Sequence, residues 1–148
     1  MAPLILGASM QSALSAEDLK PLFKRSELSV EVDGVRHLFM IEIADTPTAR
    51  GQGLMGRRHM DEDAGMLFDF GSPRRLSMWM KNTYISLDML FIDQSGLIIG
   101  IASNTTPLSL RIISHPRPAL AVLELKAGTV KRLKITVGDR VLHGLFQP

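Results

Sequence analysis

Two carboxylates stand in segments that are otherwise apolar. In residues 87–92, Asp88 shares a strand face with Leu90 and Ile92, and in residues 119–125, Glu124 shares one with Leu120 and Val122, because side chains two apart in a strand point the same way. An ionised carboxylate withdrawn from water is too costly to stand alone, so each acid is expected to be paired, hydrogen-bonded, close to a strand end or protonated. Arg50, Arg57, Lys81 and Asn82 offer partners, each in or beside a turn next to an apolar segment. Gathered around one cleft, with Phe68, Trp79 and Met80 as its apolar wall, these groups would hold a small anionic or polyhydroxylated ligand. A desolvated acid in that cleft could also act as general acid or base. A structural role is open on the same residues: Asp88 would fasten the turn at 81–83 and Glu124 the segment at 50–57, as buried ion pairs do.

Three functions follow from this constellation. The first is a binding domain for a small molecule, without catalysis. The second is a hydrolase or lyase with Asp88 or Glu124 as acid or base and Lys81 or Arg57 stabilising negative charge; a strongly raised acid inside a solvent-reaching pocket would favour it. The third is a structural or interaction module, whose sign would be a large exposed apolar patch.

Other chemistries find no support. The chain has no cysteine, and its four histidines at 37, 59, 115 and 143 form no i, i+4 pair and no H-E-x-x-H, so no metal site is expected. Gly51-Gln52-Gly53 lacks the third glycine and the Lys-Ser or Lys-Thr of a phosphate cradle, and no G-x-S-x-G elbow supplies a nucleophile. No cofactor is expected. Met78 and Met80 alternate with Trp79, an arrangement that core packing explains without copper(I).

The elements that must position these residues read as short strands. Residues 27–32 alternate in polarity, Asp33-Gly34 supplies a two-residue hairpin turn, and the partner strand over 35–43 is expected to be covered on both sides because Leu38 and Met40 add to its apolar odd positions. Thr46-Pro47 caps a short helix toward Met55. Segments 66–70, 76–80, 87–93 and 97–102 read as the strands of a meander, and 104–118, with three prolines, as a surface excursion. A strand over 119–125, a short helix over 127–133 and a closing strand over 140–146 complete the chain. Many short strands without regular strand-helix alternation predict a mainly β, single-domain antiparallel sandwich or barrel-like fold with one or two short helices.

Composition narrows the partners. Seventeen Lys and Arg against fifteen Asp and Glu, in scattered pairs and with only one Trp, one Tyr and six Phe, argue against nucleic-acid binding. No apolar stretch is long enough to span a bilayer. Residues 1–24 read as a leader ahead of a domain over 25–148: residues 2–13 carry no charge, and Ala13-Leu14-Ser15 before Glu17-Asp18 resembles a signal-peptide cleavage site. That predicts a periplasmic or secreted protein, with a short N-terminal helix of a cytoplasmic one as the alternative. The sequence does not speak to oligomeric state.

Several motifs now stand together: Arg50-x-x-Gly53-Leu54-Met55-x-Arg57, Gly65-Met66-Leu67-Phe68, Trp79-Met80-Lys81-Asn82-Thr83, Leu87-Asp88-Met89-Leu90-Phe91-Ile92, Leu123-Glu124-Leu125-x-Ala127-Gly128 and Gly138-Asp139. In this order, over residues 28–142, the chain resembles the bacterial family called domain of unknown function 192. The resemblance implies a largely β domain, often behind a signal peptide, and transfers no catalytic role. Gly56 departs from the aromatic residue common at that position of the family, and Lys126 from a polar uncharged one.

Overall fold

A computed structural model describes residues 23–147. The leader expected over 1–24 therefore lies almost wholly outside the described residues. Nine strands form in chain order: β1 (Lys24–Val32), β2 (Val35–Ala44), β3 (Ala64–Arg74), β4 (Ser77–Met78), β5 (Leu87–Ile92), β6 (Ile98–Ala102), β7 (Ile113–Ser114), β8 (Ala119–Lys126) and β9 (Arg140–Leu142). Two short helices join them, α1 (Pro47–Gln52) and α2 (Thr129–Leu133). The fold is mainly β, as predicted. Seven strands make one sheet in the order β6-β5-β8-β3-β2-β1-β9, curled into a half-barrel, and β4 pairs with β7 in a separate ribbon.

Local chemistry explains the connections. Asp33 and Gly34 take φ of 48° and 78°, the left-handed pair that lets a two-residue turn match the twist of β1 and β2. Thr46 caps α1, its hydroxyl accepting the Ala49 N–H at 3.1 Å, and Pro47 occupies the first helical position, where no N–H is needed. Residues 45–63, with α1, form a crossover, because β2 and β3 run parallel while the other paired strands run antiparallel.

The expected meander does not hold. β5 and β6 are a hairpin, but β8 lies between β3 and β5 and pairs with both. Every residue from Ala119 to Leu125 is buried, so this strand needs neighbours on both edges and cover on both faces, which only a central position gives. The segment expected as a strand over 76–80 pairs only at Ser77–Met78, and its partner β7 comes from within the predicted surface excursion. Leu38 and Met40 are 56% and 50% exposed, so β2 is covered on one side at these positions and not on both.

The sheet carries a core on each face. Leu28, Ile41, Leu67, Leu90, Leu123 and Val141 pack on one, and Met66, Phe68, Met89, Phe91, Val122 and the ribbon's Met78 on the other.

Candidate functional site

Register decides where the two acids point. Met89 pairs with Glu124 and Asp88 with Leu125, so Glu124 belongs to the Met66 and Met89 face while Asp88 lies on the Leu90 and Leu123 face. The single cleft expected to hold both acids does not exist. A strand buried on both sides has two apolar faces, and parity within each strand cannot say which one an acid occupies.

Asp88 is a clamp. It is fully buried, and its Oδ1 accepts the Asn104 N–H while its Oδ2 accepts the Val130 N–H, both at 2.9 Å. The first bond holds the turn at Asn104, whose φ is 51°, and the second satisfies one of the unpaired N–H groups at the start of α2. The expected tie to the turn at 81–83 is absent among the described residues. A backbone partner replaces the ion pair.

Glu124 is different. It is 4% exposed, its carboxyl makes no hydrogen bond or ion pair to the described residues, and it helps line a cavity of about 280 Å³. Burial pushes its carboxyl from the ordinary 4.5 up to about 8, so it keeps its proton at neutral pH. It therefore does not fasten the segment at 50–57.

Three pieces of chain enclose the cavity. The Arg50 to Met55 segment of the crossover forms one wall, Phe68 and Phe70 of β3 another, and Ser77, Met78 and Trp79 of the ribbon the third. Gly53 lets the first wall approach: a Cβ there would stand 3.0 Å from the Phe68 ring, and its φ of 45° is costly for other residues. The Arg50 guanidinium donates through Nη1 to the Asp69 carbonyl at 2.8 Å and lies 5.3 Å from the Phe70 ring centroid, leaving further N–H donors free of that bond. Arg74 lies 5.3 Å from the same ring and the Lys81 ammonium 5.1 Å from Trp79, so the surroundings are cationic.

Of the eight residues predicted for a site, the structure brings four together: Arg50, Phe68, Trp79 and Glu124. Arg57 pairs instead with Glu42 and lies over Phe23, at a separate depression on the surface. Lys81 and Asn82 are exposed and do not line the cavity; the Asn82 carbonyl accepts the Gly56 N–H at 2.9 Å. Leu54, Met55, Phe70, Ser77, Met78 and Thr83 line it as well and were not among those eight. The motif running from Arg50 to Arg57 was the available signal, since Gly53 within it, unlike Gly51 and Gly56, is where the backbone comes close to a side chain.

Among the described residues no group of three or more His, Asp or Glu side chains is placed to hold a metal ion, and no helix is long and apolar enough to cross a membrane.

The family model described as Uncharacterized ACR, domain of unknown function 192, matches residues 28–143. A crystal structure from Sinorhizobium meliloti 1021, described as that of a "putative transcription regulator", is similar at 45% identity with a TM-score of 0.83, covering 86% of this chain and 99% of that one. A protein of unknown function from Novosphingobium aromaticivorans DSM 12444 is 34% identical with a TM-score of 0.78, covering 80% of this chain and 85% of the other. No curated protein matches the chain.

Proposed function

The chain belongs to the family Uncharacterized ACR, domain of unknown function 192, and within that fold we propose that it is a binding domain for a small organic anion, seated on Glu124. One observation carries this: an acid withdrawn from bulk water, its carboxyl bonded to none of the described residues, lines a cavity beside Arg50. Among the described residues no side-chain polar atom is both fully enclosed and without a partner, so the carboxyl is read as opening on the cavity, where a polar group of a ligand would replace water as its partner. With its proton on, Glu124 donates a hydrogen bond, and Arg50 supplies charge-assisted donors at the cavity wall. A carboxylate or a vicinal diol satisfies both, and Phe68, Met78 and Trp79 would cover an apolar body. The rim cations favour the anion of these two. The family resemblance and the leader-like first residues support placing the protein outside the cytoplasm, in the periplasm or the medium.

A thermal-shift screen of small carboxylates, sugars and polyols tests the proposal, since any ligand of the folded state raises its melting temperature. Carboxylates should give the largest rise, and Arg50→Ala should abolish it. Lys81→Ala, at the rim and outside the cavity lining, should lower it only modestly. If no probe in either class raises the melting temperature, binding at Glu124 is refuted.

The pKa of Glu124 favours a second reading, in which it is the general acid of a lyase or hydrolase and Arg50 stabilises the developing negative charge. Glu124→Gln separates the two. The amide preserves a hydrogen-bond donor and so preserves binding, whereas it cannot transfer a proton and would abolish turnover.

A further inference from the structure

Away from the cavity floor, two segments meet along the β4–β7 ribbon and carry an exposed surface of uneven composition. Nine large hydrophobic side chains are exposed among the described residues, and five of them fall in residues 71–84 and 103–118: Trp79, Tyr84, Leu108, Leu110 and Ile112. Leu110 is 64% exposed and Ile112 58%, so packing against the described residues leaves most of each side chain uncovered.

Hydrogen bonds hold these side chains on one structure. Ser77 pairs with Ser114 and Met78 with Ile113, the Met80 N–H donates to the Ser109 carbonyl at 3.1 Å, and the Leu108 N–H donates to the Thr83 carbonyl at 3.0 Å. Met78 and Met80 are buried while Ser77, Trp79 and Lys81 are exposed, so the ribbon turns one face to the protein and the other outward. The pairing ends at Met78 and Ile113, and the next residue on each segment, Trp79 and Ile112, is exposed.

Charge is segregated on the same two segments. They contain Arg74, Arg75, Lys81, Arg111 and Arg117 and no Asp or Glu, in a chain whose totals of seventeen and fifteen are nearly balanced.

We propose that this surface docks on an anionic lipid bilayer. Trp79, Leu110 and Ile112 would enter the headgroup boundary, where an indole and short aliphatic chains are favoured, and the five cations would face lipid phosphates. The occupant must be uniformly anionic and also accept aliphatic side chains, and a bilayer surface offers both in one layer. A single-stranded nucleic acid fits this surface less well, because Lys81 and Arg58 lie over the exposed Trp79 and Tyr84 rings and Leu108, Leu110 and Ile112 give its bases no stacking platform. Docking in this pose brings the cavity mouth, which Trp79 also lines, to the lipid headgroups.

Trp79 is the only tryptophan of the chain, so its emission reports on the surface directly. The full chain is mixed with vesicles of phosphatidylcholine alone, or of phosphatidylcholine with phosphatidylglycerol, and both emission and co-sedimentation are followed. Expected are a blue shift and sedimentation with the anionic vesicles, reversed by high salt and weak with the neutral ones. The Leu110→Asp, Ile112→Asp double variant should keep its melting temperature, since both side chains are exposed, and should partition about tenfold or more weakly. The proposal is overturned if the wild type stays in the supernatant with anionic vesicles. It is equally overturned if the folded double variant binds as well as the wild type, or if single-stranded RNA shifts the emission and vesicles do not.

Discussion

Glu124→Gln should remove a dependence of stability on pH that the wild type carries. Burial raises the carboxyl from 4.5 to about 8, so the folded state retains a proton that the unfolded chain releases above about pH 4.5. The stabilisation from that retained proton is complete below the unfolded value and is lost as pH climbs through the folded one. At about 1.4 kcal/mol per pH unit the whole effect is on the order of 5 kcal/mol, of which about 4 kcal/mol falls between pH 5 and pH 9. The amide has no proton to lose. Its burial without a partner costs stability at every pH alike, so the variant differs from the wild type by an offset that changes in the variant's favour as pH rises. Guanidinium unfolding of both proteins at several values from pH 5 to pH 9 gives the difference directly. If that difference moves by less than about 1 kcal/mol over the range, the carboxyl is solvated or paired in solution, and the argument for a site on Glu124 fails with it.

Three further outcomes follow from the geometry. Asp88→Ala leaves the Asn104 and Val130 N–H groups without their acceptor and should cost about 3 kcal/mol or more in denaturant unfolding, while the ligand-induced rise in melting temperature survives, because Asp88 lies on the opposite sheet face from the cavity. Gly53→Ala forces the Phe68 ring to move and strains a φ of 45°, at a cost of about 1–3 kcal/mol, and isothermal titration should show weakened ligand binding. Arg57→Ala breaks a pair whose side chains are 37% and 24% exposed, so it should change stability by less than about 1 kcal/mol and leave ligand affinity as it was.

What the sequence shows of this molecule is governed by range. The Asp33-Gly34 turn and the Thr46-Pro47 cap are legible because the residues that decide them are neighbours. The fold class is legible because short strands with frequent turns, and no regular strand-helix alternation, leave few alternatives. The place of β8 is not, since it depends on pairing with β3 and β5, far away in the chain. For the same reason the two acids could be recognised as buried but not assigned to faces: Met89 opposite Glu124 is a fact of register, and no pattern within either strand contains it. Lys81 and Arg57 attract attention as cations near apolar segments, yet both spend their charge on the surface, Lys81 on Trp79 and Arg57 on Glu42. Gly53 and Leu54 carry no charge, and their role as a wall is visible only once the crossover is laid against Phe68.

The central position of β8 bears on how the molecule comes into being. A ribosome releases β1 to β6 long before Ala119, and through that interval β3 and β5 each present a bare edge of N–H and C=O groups flanked by apolar side chains. Such edges invite pairing with other nascent chains, so synthesis of β8 is the step before which premature release or truncation would leave an aggregating product rather than a smaller folded one. The strand that closes the gap also carries Glu124, and a molecule that presents the acid to the cavity is therefore one whose sheet is already sealed.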